Sequence, residues 1–117
     1  MGHTYTEKLS GLSQIALPVE ELWAKNVYWM YGVVLTDDAK YDATEFAQRL
    51  RAEGVDTRPF FIGMHEQPVF REMGLFAGES YPVAERIARR GLYLPSGLTL
   101  TGVQLDQVCE AVWKVLS

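Results

Sequence analysis

Asn26-Val27-Tyr28-Trp29-Met30-Tyr31-Gly32-Val33-Val34-Leu35 decides the fold of this 117-residue chain. β-Branched and aromatic side chains dominate it, which predicts a strand over 26–35. Alternation would send Val27, Trp29, Tyr31, Val33 and Leu35 to one face and Tyr28, Met30 and Val34 to the other. Both faces are apolar, so the strand is expected to be covered on both sides or to belong to a larger interface. Gly32 marks either a bulge or a close approach to the backbone.

Downstream, Asp42 and Glu45 have capping-box spacing, and Ala43, Phe46, Ala47 and Leu50 recur at helical spacing. They predict a helix over 43–53 that Gly54 ends. Residues 55–58 read as a short extended piece, with Pro59 keeping Arg58 out of helical geometry. An apolar loop follows over 60–65, then one or two helical turns over 69–73 and a mobile loop over 74–80. Pro82 suits the first turn of a second helix, with Val83, Ala84, Ile87 and Ala88 as its buried face and Gly91 as its stop. Residues 92–94 form a short strand closed by Pro95-Ser96-Gly97. The last helix carries a Thr101/Gln104 capping box, and Leu105, Val108, Cys109, Val112, Trp113 and Leu116 make a continuous stripe. Upstream, 1–25 reads as an arm or linker with a tag-like His3, although Leu9, Leu12, Ile15 and Leu17 could pack on the rest. Residues 26–117 then form a small α/β (α+β) domain, a sheet of about three strands covered by helices.

Composition removes several function classes. Eleven Lys plus Arg against 15 Asp plus Glu give a net charge of −4, which argues against a nucleic-acid partner. A single cysteine excludes an internal disulfide and fits a reducing compartment. No run approaches the ~18 apolar residues of a membrane span, and the first residues lack a signal-peptide pattern. A cytoplasmic protein with no membrane partner is expected.

Few side chains could carry chemistry. His65 is the one interior imidazole, and no second His or Cys stands at metal-ligand spacing. Cys109 falls on the apolar stripe and reads as a packed thiol. None of Lys8, Lys25, Lys40 and Lys114 lies in an apolar setting that would prepare it for imine chemistry. Asp37-Asp38 and Glu20-Glu21 read as solvated turns. Arg86, Arg89 and Arg90 read as a wet helix face, the sharper alternative being a grip on phosphate. No catalytic, cofactor-binding or metal-binding residue is therefore assigned. The segment 57–68 is different, because it sets Arg, His, Glu and Gln among large apolar residues in a loop stiffened by two prolines. That mixture suits a pocket wall; the alternative is a loop folded back on its own core.

Four blocks occur in a familiar order: Asn26-Val27-Tyr28-Trp29-Met30-Tyr31-Gly32, Thr57-Arg58-Pro59-Phe60-Phe61 through His65-Glu66-Gln67-Pro68, Tyr81-Pro82-Val83-Ala84-Glu85, and Gly91-Leu92-Tyr93-Leu94-Pro95-Ser96-Gly97. Together they resemble the C-terminal small domain of the DegT/DnrJ/EryC1/StrS aminotransferases, perosamine synthetase-like nucleotide-sugar enzymes among them. The resemblance implies the C-terminal domain of a fold-type I enzyme dependent on pyridoxal phosphate. Such enzymes bind the cofactor through a lysine imine and move an amino group from glutamate to a 4-keto sugar nucleotide. In that family the lysine belongs to a large N-terminal domain, and none of the four lysines here matches its motif. The resemblance therefore implies a chain inactive alone, partnered by a large domain or second subunit, with pyridoxal phosphate held outside it. Carried over residue by residue, Arg58, Phe60, Phe61, Met64, His65 and Gln67 match the loop forming part of the wall over the sugar nucleotide. His65 would be its foremost polar contact, and Pro95 and Ser96 match the block on which that loop leans. The rival expectation is a stand-alone, non-catalytic interaction or ligand-binding module with the same fold. Severance from a large domain would leave apolar surface on the two-faced strand and the Phe60-Phe61-Ile62 loop, to be met by self-association or covered by the N-terminal arm.

Overall fold

The computed structural model describes residues 1–117. The order is α1 (Gly2–Leu9), β1 (Ile15–Ala16), β2 (Tyr31–Leu35), α2 (Ala43–Ala52), β3 (Arg58–Pro59), a 3₁₀ turn (Met64–Glu66), α3 (Pro68–Glu72), α4 (Pro82–Arg90), β4 (Gly91–Leu94) and α5 (Gly102–Leu116). The four strands form one antiparallel sheet in the order β1-β2-β4-β3. Between β2 and β4 the register runs Tyr31 with Leu94, Gly32 with Tyr93, Val33 with Leu92 and Val34 with Gly91, without a bulge.

That register sorts the side chains by face. Tyr31, Val33, Leu35, Leu92 and Leu94 are buried in one core with Tyr5 and Leu9 of α1, Phe46 and Leu50 of α2, and Leu105, Val108, Cys109 and Val112 of α5. Gly32, Val34, Gly91 and Tyr93 alternate with them and so face the other way. The helix caps read from the sequence are present. Asp42 accepts from the Glu45 N–H at 2.8 Å, and Thr101 and Gln104 complete a capping box. Gly54 sits at φ +81°, a left-handed position suited to glycine.

Five expectations change. The segment expected to be an arm supplies α1 and the fourth strand, because Tyr5, Leu9, Leu12 and Ile15 are all buried and complete the core over β2 and α5. The Tyr5 hydroxyl also donates to the Pro95 carbonyl at 2.9 Å. Second, the long strand starts only at Tyr31. Asn26 Oδ1 accepts from the Tyr28 N–H at 2.8 Å, an Asx turn, and Tyr28 takes φ +48°. Val27 and Trp29 are consequently exposed, while the Tyr28 ring lies over Gly2, where a Cβ would overlap it.

Third, α4 buries none of its apolar face. Its last turns meet β2 and β4 and half-cover Ile87 and Ala88, but Val83 and Ala84, a turn earlier, are exposed. Fourth, Arg86 and Arg89 stay on the wet face of α4 as expected, but Arg90 leaves it for the fold. Arg90 donates to the carbonyls of Leu35 and Thr36, Arg89 pairs with Glu66 at 2.6 Å, and Arg86 faces Asp37 at 3.5 Å. Fifth, Trp113 leaves the buried stripe of α5, donating to the Lys8 carbonyl at 2.9 Å, and Ala111 takes its place inside. Along 74–80, expected to be a mobile loop, Gly74, Phe76 and Gly78 all adopt left-handed backbone.

Candidate substrate-wall groove

The outward sheet face is paved with glycine where other strands carry side chains. A Cβ on Gly32 or Gly91 would overlap the Phe60 ring, so the ring lies flat across both positions. Of the two readings of Gly32, the close approach is the one realised. Phe60 also stacks on Tyr93 with centroids 4.3 Å apart, and Phe61 tilts against the same tyrosine at 5.7 Å. Gly91 joins α4 to β4 in extended geometry (φ −106°, ψ 151°), and the Ile87 carbonyl leaves no more room there than the ring does.

These contacts shape a groove of about 450 Å³ whose walls include Arg58, Phe60, Phe61, Gln67, Met30 and Tyr93. Four of the six residues expected to form the wall come together here. Arg58 is held by the short pairing of β3 with β4 and is exposed at the rim. Gln67 is braced by a hydrogen bond from its Nε2 to the Ile62 carbonyl at 3.2 Å. Met64 and His65 do not line the groove. Met64 is exposed, and His65 is buried with its Nε2 3.2 Å from Glu85 Oε1 and its ring against Tyr81. Tyr93 and Met30 are wall residues that the loop alone did not reveal. Tyr93 was legible in the alternation of β4, since its neighbours Leu92 and Leu94 belong to the core.

Ser96 has a structural task. Its hydroxyl donates to the Leu94 carbonyl and accepts from the Tyr31 N–H, both at 2.9 Å, closing the turn after β4 onto the start of β2. Beyond Arg58 a wider, open depression of about 1120 Å³ runs between the end of β4 and α5, and Lys114 lies on its border.

The chain's own groups do not fit pyridoxal phosphate. All four lysines are exposed; Lys8 pairs with Asp106 at 3.0 Å, and Lys114 with Glu53 at 2.7 Å. Neither an enclosed amine nor a glycine cradle beside a lysine exists to hold the aldehyde and the phosphate. Burial pushes the Cys109 thiol up to about 11, so it offers no nucleophile at neutral pH. The groove can enclose an apolar or aromatic body beside a guanidinium.

Comparison with known proteins places this geometry. The DegT/DnrJ/EryC1/StrS aminotransferase family matches residues 1–113. GDP-perosamine synthase of Caulobacter vibrioides is 31% identical over 113 residues, which is 96% of this chain and 30% of that protein. The crystal structure of DesV from S. venezuelae, in complex with a ketimine intermediate, superposes with a TM-score of 0.77 at 29% identity, over 97% of this chain and 29% of that one. The aminotransferase TlmJ from Streptoalloteichus hindustanus gives a TM-score of 0.79 at 24% identity, over 98% and 30% respectively. The chain thus spans about 30% of the length of the relatives it matches. No helix is long and apolar enough to cross a membrane. With the match running through α1, the sheet, the groove and nearly all of α5, the chain belongs to the DegT/DnrJ/EryC1/StrS aminotransferase family.

Proposed function

We propose that this chain is the small domain of a nucleotide-sugar aminotransferase and supplies part of the wall over the sugar-nucleotide site. The observation that carries this reading is the convergence of Arg58, Phe60, Phe61, Gln67 and Tyr93 on one groove while every lysine stands exposed elsewhere. A sugar nucleotide combines a flat base, an anionic diphosphate and hydroxyls. The aromatic rings suit the first, Arg58 the second and Gln67 the third. The reactive amine, the pyridoxal phosphate and the remaining walls come from a large domain or a second subunit. In the assembled enzyme the amino group passes from glutamate to a 4-keto sugar nucleotide. Alone, the chain orients part of the substrate and transfers nothing.

Two measurements test this. Pyridoxal phosphate added to the purified chain should give no stoichiometric imine absorbance, and a saturating imine band would overturn the assignment of the lysine elsewhere. In an assembled enzyme carrying this domain, Arg58→Ala should raise the KM for the sugar nucleotide on the order of tenfold, the loss of one charge-assisted contact. An unchanged KM would remove Arg58 from the wall. A gene with no large-domain reading frame beside it would favour the stand-alone binding module instead.

A further inference from the structure

Residues 60–90 form an excursion between the adjacent strands β3 and β4, and they carry one whole wall of the groove. Only one residue in that stretch is buried, and it is polar: His65. Neither α3 nor α4 contributes a buried side chain. An excursion without an apolar core must be held by something else.

The groups around His65 supply that hold. Glu85 Oε1, on α4, accepts from the Tyr81 N–H at 2.9 Å and from the Ser80 hydroxyl at 3.2 Å, and it stands 3.2 Å from His65 Nε2. The His65 ring covers Gly63, where a Cβ would come within 2.7 Å of ring atoms, so the turn is built around that ring. Arg71 Nε donates to the His65 carbonyl at 3.3 Å, and the neighbouring Glu66 pairs with Arg89. A carboxylate only accepts, so in this contact the His65 Nε2–H donates to Glu85.

We propose that His65 and Glu85 are a positioning pair whose contact fixes residues 60–67 against α4 and so sets the width of the groove. The pair acts through Phe60, Phe61 and Gln67 and touches no ligand. Nothing in it depends on what fills the groove, so it stands apart from the aminotransferase reading.

The experiment is amide hydrogen exchange on the 117-residue chain, comparing wild type, His65→Ala and His65→Gln. Gln offers an Nε2 donor at similar reach. In H65A, exchange at Glu66, Gln67 and Phe70, whose N–H groups close the local turns onto Gly63, Met64 and Gln67, should rise on the order of tenfold. Amides of α2 and α5 should hold their wild-type rates, and H65Q should recover most of the lost protection. Nitrogen NMR of the wild-type ring should report the proton on Nε2. Equal protection in wild type and H65A, failure of H65Q to rescue, a rise spread equally over α2 and α5, or an Nε2 without a hydrogen would each overturn the proposal. Should H65A not fold, H65Q against Glu85→Ala gives the same reading, with protection kept in the first and lost in the second.

Discussion

Phe60 shows how two glycines and one ring specify a site. Its ring needs bare backbone at both Gly32 and Gly91, on adjacent strands and two register positions apart. Gly91→Ala is the harsher substitution, because its Cβ would meet the Ile87 backbone carbonyl at 2.6 Å as well as the ring, and a carbonyl inside a helix cannot swing aside. Overpacking of this kind costs about 1–3 kcal/mol, so the denaturant midpoint should fall. Gly97→Ala, with nothing within 4 Å of the added Cβ, should leave it within about 0.5 kcal/mol of wild type. Equal effects at the two positions would show that the ring does not lie where described. Cys109 gives a second prediction at this scale. Its thiol is buried and held up at about 11 by desolvation, so an aromatic disulfide reagent at pH 8 should label the native chain far more slowly than the unfolded one. Here the sequence was explicit: Cys109 falls on a stripe of apolar residues, and that stripe is buried. Gly32 was legible only as a bulge or a point of close approach, and the ring that decides between them was not legible, because it arrives from a loop whose path no periodicity encodes.

Elements were legible in proportion to their local signals. Helices α2 and α5 carry side-chain caps and long apolar stripes, and both stand close to where their patterns put them. Helix α1 has no side-chain cap and only eight residues, so Leu9, Leu12, Ile15 and Leu17 looked like scattered apolar positions; tertiary packing, not propensity, makes the helix. The start of β2 failed for the opposite reason. Residues 26–30 have strand composition, but the Asn26 side chain satisfies a backbone N–H locally and turns the chain instead. The 60–90 excursion hid its organisation because its centre is polar. That centre predicts a pH dependence. The Tyr81 N–H above all, and then the His65 and Ser80 hydrogen bonds, hold the Glu85 carboxyl below its ordinary value. Arg89 approaches the same carboxylate at 3.9 Å, and Arg71 and Glu66 flank His65. The folded chain therefore binds this proton more weakly than the unfolded chain. The stability Glu85 contributes is complete above the usual carboxylate range and disappears as pH falls through its depressed folded value. Exchange-corrected protection of residues 60–90 should weaken in that acid window before that of α5 does. A simultaneous loss in both would show that the excursion has no separate stability.

At the scale of the molecule, burial divides the surface unevenly. The inner sheet face and three helices close a complete core, while Leu22, Trp23, Val27 and Trp29 on the 17–30 connection, and Phe61, Met64, Val69, Met73 and Val83 on the excursion, face solvent. Apolar side chains exposed in such number on so small a protein predict a surface prone to association. Apolar surface was expected on the two-faced strand and the Phe60-Phe61-Ile62 loop; Phe61 and Ile62 do face solvent, whereas Val27 and Trp29 are exposed from the turn before β2 and not from the strand itself. Leu22 and Trp23 are 108% and 86% exposed at the tip of that connection, beside the Glu21–Ala24 bridge, and the folded core does not rest on them. The purified chain should consequently associate with itself as its concentration rises. The double substitution Leu22→Ser with Trp23→Ser should weaken that association on the order of tenfold while leaving the unfolding midpoint in place, because exposed positions outside the core shift stability by no more than about 0.5 kcal/mol. Sedimentation equilibrium reads the association and denaturant titration reads the midpoint. A chain that stays monomeric at about millimolar concentration would assign these side chains to a solvated loop and would leave the excursion as the surface awaiting a partner.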